Sequence, residues 1–201
     1  MKHLSTTAST WGQRALLLGL FAASLTACKK DKEETPTPAP TPVNEEELIT
    51  TLILTFTDAT NPANVYEMRF TDLDGDGGDA PVLTGDTLPA AATLQLALRV
   101  LDESGSTPEE ITEEIRTEDE AHQFFFAVTG ANLQVVYNDV DADGLPVGLS
   151  NTATTGAAST GSLRVTLIHE PVKTAAGVSE GLIENAGGET DIEVEFPVVI
   201  Q

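Results

Sequence analysis

Leu94-Gln-Leu-Ala-Leu-Arg-Val100 is the stretch from which the fold class can be read. Leu94, Leu96, Leu98 and Val100 take alternate positions, so an extended strand puts them on one face and Gln95, Ala97 and Arg99 on the other. The same period of two recurs upstream at Leu52-Leu54-Phe56 and Tyr66-Met68-Phe70. Downstream it returns at Phe124-Phe126-Val128, Leu133-Val135-Tyr137, Leu163-Val165-Leu167 and Ile192-Val194-Phe196. Clusters of Gly, Pro, Asn and Asp separate these runs, and a short run at Thr87-Leu88 would add one more strand. The pattern predicts an all-β fold, an antiparallel immunoglobulin-like β-sandwich of seven to eight strands; a parallel α/β fold would need helices between the strands. The Cys-Trp-Cys core of antibody domains is absent, since the single Trp11 lies near the N-terminus. Segments 150–160, rich in Ser, Thr and Ala, and 174–188, rich in Ala and Gly, read as loops.

One short helix is expected to interrupt the strands. Thr107 as N-cap, Pro108 at the first helical position and Glu110 closing a capping box mark its start. Ile111 and Ile115 form a thin apolar stripe, and Glu109, Glu110, Glu113, Glu114, Glu118, Asp119 and Glu120 surround it as a solvated face.

The chain has 201 residues, 32 acidic and 10 basic side chains, a formal net charge of −22 and 40% hydrophobic residues. This suits one domain with a real core. So negative a chain repels nucleic acid and anionic membrane surfaces, and no nucleic-acid partner is expected. From Glu45 onward only Arg69, Arg99, Arg116, Arg164 and Lys173 are cationic. That self-repulsion calls for salt, a cationic partner or bound metal.

The N-terminal fifth reads as an export and anchoring device. Lys2 and Arg14 precede an apolar run over 15–27, too short to span a roughly 30 Å hydrocarbon core comfortably. Leu25-Thr26-Ala27-Cys28 then matches a bacterial lipobox, and Cys28 is the single cysteine of the chain. It would become the lipidated N-terminus; one cysteine also excludes an intrachain disulfide framework and a Cys-based zinc site. Residues 1–27 are thus the expected signal peptide and 28–44 the tether, leaving 45–201 as the sandwich domain. Lys29-Lys-Asp-Lys-Glu-Glu34 suits a surface-export signal or a solvated spacer, and Pro at every second position from 36 to 42 makes an extended stalk.

Two loops repeat the pattern D-x-D-x-D-G: Asp72-Leu-Asp74-Gly-Asp76-Gly and Asp139-Val-Asp141-Ala-Asp143-Gly. Calcium takes six to eight oxygen ligands, and acids two apart on a turning loop can share one centre. Position twelve is Leu83 or Ser150 rather than Glu, so neither loop is an EF-hand. The expectation is a calcium-stabilised sandwich, with Asp72, Asp74, Asp76 and Asp79 at one site and Asp139, Asp141 and Asp143 at another. The same residues suit Asx turns that need no ion. If strands simply alternate in direction the loops lie at opposite ends; an extra strand at 87–88 leaves that open.

His122 and His169 stand at strand edges, and nothing in their spacing pairs them, so structural roles are expected. Phe124-Phe125-Phe126 puts two rings on one face and one on the other, read as core plus a cover from the helix. No G-x-S-x-G, H-E-x-x-H, P-loop or G-x-G-x-x-G occurs.

The lipobox, CKKDKEE, Asn44-Glu-Glu-Glu-Leu-Ile-Thr-Thr51, Asp72-Leu-Asp-Gly-Asp-Gly-Gly78, Leu101-Asp-Glu-Ser104, Ile111-Thr-Glu-Glu-Ile115, His122-Gln-Phe-Phe-Phe126 and Thr155-Gly-Ala-Ala-Ser159 together resemble small surface lipoproteins of the Bacteroidota. That group has no assigned activity. Some members carry a "type 1 periplasmic-binding" label, whose α/β fold the strand-only pattern does not match. The resemblance implies an outer-membrane lipoprotein exposed at the surface, held to outer-membrane lipid through Cys28. The functional expectation is a non-catalytic binding or adhesion module for a surface protein or glycan ligand. The alternative is an accessory glycan- or peptide-binding protein of a nutrient-uptake system, which would show an aromatic platform built from Tyr66, Tyr137 or the Phe run. A glycosidase using paired carboxylates is a third class, but acids are too abundant here for any one pair to signal it.

Overall fold

A computed structural model describes residues 48–75 and 78–201. The signal, Cys28, the tether and Asp76 lie outside the described residues. The strands are β1 (Thr51–Asp58), β2 (Val65–Thr71), β3 (Val82–Gly85), β4 (Thr93–Asp102), β5 (Glu109–Glu110), β6 (His122–Thr129), β7 (Leu133–Tyr137), β8 (Ser150–Thr155), β9 (Ser159–His169) and β10 (Glu189–Ile200). Helix α1 (Ile111–Thr117) lies between β5 and β6. A seven-stranded sheet has the order β3-β2-β1-β4-β8-β7, with β5 on β4, and a three-stranded sheet has the order β10-β9-β6. The ladders between these strands are antiparallel. No helix among the described residues is long and apolar enough to cross a membrane.

The expected all-β sandwich is the fold, and the alternating residues make its core. Met68, Leu54 and Leu98 form one cross-strand row in the large sheet, and Phe126, Val165 and Val194 form one in the small sheet. Leu52, Leu54, Phe56, Leu96 and Val100 from one layer share a single buried cluster with Phe124, Leu163, Leu167, Phe196 and Val198 from the other. Such a contact removes both inner faces from water and holds the layers together.

The strand tally and some boundaries differ from the expectation of seven to eight. All seven alternating runs are strands, and β3, β5 and β8 are additional. Strand β8 falls in the segment read as a loop, because its inward residues are small or polar. Asn151 and Thr155 are buried, and they donate to Gly148 O at 2.7 Å and Pro89 O at 2.6 Å, so burial leaves their donors satisfied. Leu88 makes only an isolated bridge to Ile200.

Helix α1 starts at Ile111, with Glu110 at the N-cap position and no side-chain cap, rather than at Thr107. Strand β4 runs past the end of its pairing with β8, and Glu109–Glu110 fill that open edge opposite Leu101–Asp102. The Val100 N–H donates to Thr112 Oγ1 at 2.8 Å, tying the first turn of the helix to the sheet. Ile111 and Ile115 are buried as expected. Phe124 enters the main core, but Phe125 is covered by the 174–188 loop through Val178 and Ala186 rather than by the helix.

Phe196→Ala empties the middle of β10, whose ring is fully buried, and is expected to lower unfolding free energy by about 3–5 kcal/mol. Gln134→Thr, at an exposed position of β7, is expected to stay within about 0.5 kcal/mol. Urea unfolding of the two variants checks both values.

Candidate functional site

Strands β2, β4 and β7 run in the same direction, so the two Asp loops that follow β2 and β7 sit at the same end of the large sheet. The expectation of opposite ends fails because β3 is an additional strand between β2 and β4 and shifts the alternation by one. The loops are still apart, with β1, β4 and β8 between their parent strands. At this end a cleft of about 590 Å³ opens between Leu48–Thr50, the 72–75 loop, Ser104 and Thr190–Glu193 of β10. Among the described residues its lining includes Asp72, Asp74, Asp191 and Glu193 and no Lys or Arg.

The small sheet brings two histidines and an aspartate together beside this cleft. His122 opens β6 and His169 closes β9, and they are direct cross-strand partners in the register. Each shares the parity of its core neighbours, Phe124 on β6 and Leu167 on β9, so both rings turn inward. The rings stack with centroids 4.9 Å apart and planes 9° from parallel. Opposite them β10 carries a bulge between Thr190 and Ile192. The extra residue re-aims Asp191, whose side chain is fully buried next to the two imidazoles although it neighbours inward-facing Ile192. Gly188 permits this approach: its φ is +72°, and a Cβ there would lie 2.2 Å from His169 O.

Asp191 Oδ2 lies 3.8 Å from His122 Nε2, and Asp191 Oδ1 lies 3.8 Å from His169 Nδ1. One ligand atom from each residue falls within 4.8 Å of the other two. Burial depresses the His122 pKa below its usual value, with the nearby Glu118 carbonyl opposing part of that effect. His122 is therefore neutral at pH 7, and its Nδ1, 3.1 Å from Glu118 O, carries the proton. Sequence spacing missed this group because β7 and β8 separate the two histidine strands and no residue pattern announces the bulge.

The Asp loops use their carboxylates locally. Asp72 Oδ1 accepts the Gly75 N–H at 3.0 Å, and Asp74 Oδ2 accepts the Asp79 N–H at 2.8 Å. Both line the cleft, and Asp79 is exposed. In the second loop Asp139 accepts N–H groups from Gly148 at 2.8 Å and Ser150 at 3.0 Å. Asp141 Oδ1 accepts from Asp143 at 3.0 Å and Leu145 at 2.8 Å, and Asp143 itself is exposed. The positive charge that Asp141 meets is an ammonium: Lys173 Nζ lies 2.9 Å from Oδ2, both side chains are buried, and Lys173 also donates to Asp119 O. Burial pushes the Asp141 pKa up, but the Lys173 and backbone hydrogen bonds outweigh it and hold it below the ordinary carboxylate value. Lys173 thereby fastens the loop after β9 to the loop after β7.

Comparison with family models, curated proteins and solved structures finds no match. This end of the sandwich offers an acidic cleft and, behind it, two imidazoles and a carboxylate, a donor set able to hold a cation.

Lys173→Met strands the buried Asp141 carboxylate and is expected to lower unfolding free energy by about 3–5 kcal/mol. Replacing both partners, Lys173→Met with Asp141→Leu, is expected to recover most of that loss. Urea unfolding of wild type, single and double variants at pH 7 checks the pair.

Proposed function

We propose that this protein is a lipid-anchored, non-catalytic binding or adhesion module of the outer-membrane surface. The observation that carries the reading is the placement of the single cysteine. Cys28 follows an apolar export run directly and precedes a charged patch and a Pro-alternating tract. That order suits a lipid attachment point, a spacer and a stalk. A β-sandwich supports such a role, because its rigid layers present loops and a cleft at their ends. The acidic cleft between the 72–75 loop and β10 favours a ligand with cationic groups or a bound cation.

The glycan-binding alternative finds no aromatic platform among the described residues. Phe124 and Phe125 are buried, Phe126 and Tyr137 pack on each other with centroids 5.8 Å apart, and no aromatic ring is among the exposed large hydrophobics. Tyr137 is a structural group. Its hydroxyl donates to Phe124 O at 2.7 Å, and burial pushes its pKa up to about 12.

In its native host the wild-type chain is expected in the membrane fraction, with the domain removed by protease treatment of intact cells. Cys28→Ser is expected to move the protein to the soluble fraction. A Cys28→Ser protein that stays membrane-bound, or mass spectrometry showing an unmodified sulfur in the wild type, would overturn the anchor.

A further inference from the structure

We propose that His122, His169 and Asp191 bind one divalent transition-metal ion of the zinc class. The three side chains come from the three strands of the small sheet, and their ligand atoms converge within 4.8 Å. A tetrahedral zinc ion with bonds of about 2.0–2.1 Å separates its ligands by about 3.4 Å. Asp191 reaches each imidazole at 3.8 Å through a different oxygen, and one ligand atom from each residue lies within 4.8 Å of the others, so the group must contract by up to about 1.4 Å on binding.

The state of His122 argues for a cation more directly. Its side chain is fully buried, and Nε2 has no hydrogen-bond partner. With the proton on Nδ1 facing Glu118 O, Nε2 presents a lone pair toward Asp191 Oδ2. Nδ1 is taken up by the Glu118 carbonyl, so Nε2 is the ring atom left facing Asp191, and a cation placed between this nitrogen and the carboxylate is attracted to both. The Nδ1–H to backbone carbonyl contact is also the arrangement that orients metal-binding histidines and fixes their tautomer. Because the rings stack nearly parallel, coordination turns one of them out of the stack.

Ligand chemistry selects the ion. Two imidazoles with one carboxylate suit zinc, nickel, copper or iron, whereas calcium takes six to eight oxygens. The route in is the cleft, which Asp191 itself lines and whose acids Asp72, Asp74 and Glu193 concentrate cations. Lys173, whose charge reaches His122, is paired by Asp141 and opposes the ion less than a bare ammonium would. Three protein ligands leave a fourth position for water. This site is independent of the Cys28 anchor.

The test strips the full chain with a chelator and titrates it with Zn²⁺ and Co²⁺. One ion per chain, the strong visible bands of four-coordinate Co²⁺ and a melting temperature raised by Zn²⁺ are expected. Asp191→Asn and His169→Gln are each expected to weaken binding ten-fold or more, with Gln134→Thr unchanged. The proposal is overturned by a wild type that binds no stoichiometric ion, by weak six-coordinate Co²⁺ bands, or by affinity that survives in Asp191→Asn and His169→Gln. If either variant fails to fold, the wild-type Co²⁺ spectrum decides.

Discussion

The structure depends on one contact, the apolar seam where the inner faces of β1 and β4 meet those of β9 and β10. Leu54, Phe56, Leu96 and Leu98 press on this seam from one layer and Leu163, Val165, Val194 and Phe196 from the other. The chain carries heavy like charge, and 29 of its 32 acids lie from Glu45 onward. Like charges on the surface push the layers apart, and buried area opposes them. The division of labour along each strand follows. On β10 the inward positions are Ile192, Val194, Phe196 and Val198, while Glu193 and Glu195 face water.

At one end the seam gives way to polar chemistry, and several groups there are held by named partners. Thr50 Oγ1 accepts the Glu103 N–H at 2.7 Å, Asp139 holds two backbone donors, and Lys173 holds Asp141. Buried polar groups cost stability unless they are hydrogen-bonded, so these networks plug the end of the core without leaving it open to water. In the histidine cluster the His122 Nε2 is buried without a hydrogen bond, as are Gln123 Oε1 and Asn151 Oδ1, and it alone of these three faces a second imidazole and a carboxylate. A sandwich needs no such group for packing, and a site that spends stability in this way usually does so for chemistry.

The fold class was legible because β-strand burial has a period of two, and each of the seven alternating runs became a strand. Strand β8 was not legible, because Ser150-Asn-Thr-Ala-Thr-Thr155 looks like a turn until Asn151 finds an acceptor in Gly148 O, three residues back, and Thr155 in Pro89 O of the segment before β4. The helix start was displaced because an unpaired stretch of β4 recruited Glu109–Glu110 before capping could act, a tertiary demand outweighing a local one. Of the site, the inward parity of His122 and His169 could be read from their apolar neighbours. Their pairing could not, since β6 and β9 are not consecutive, and Asp191 depends on a bulge that leaves no trace in the residue pattern.

The position of β10 in the chain has a consequence for timing. Strand β9 lies between β6 and β10 in the small layer, and β10 follows the other described strands in the chain. Until residues 189–200 have been synthesised, the larger layer has no complete lid for its greasy side, and cooperative folding has little to gain. The nascent polypeptide therefore remains loose through most of its synthesis. If the chain is exported as proposed, that is the condition in which a narrow channel can thread it, and the late arrival of one strand would keep it transportable.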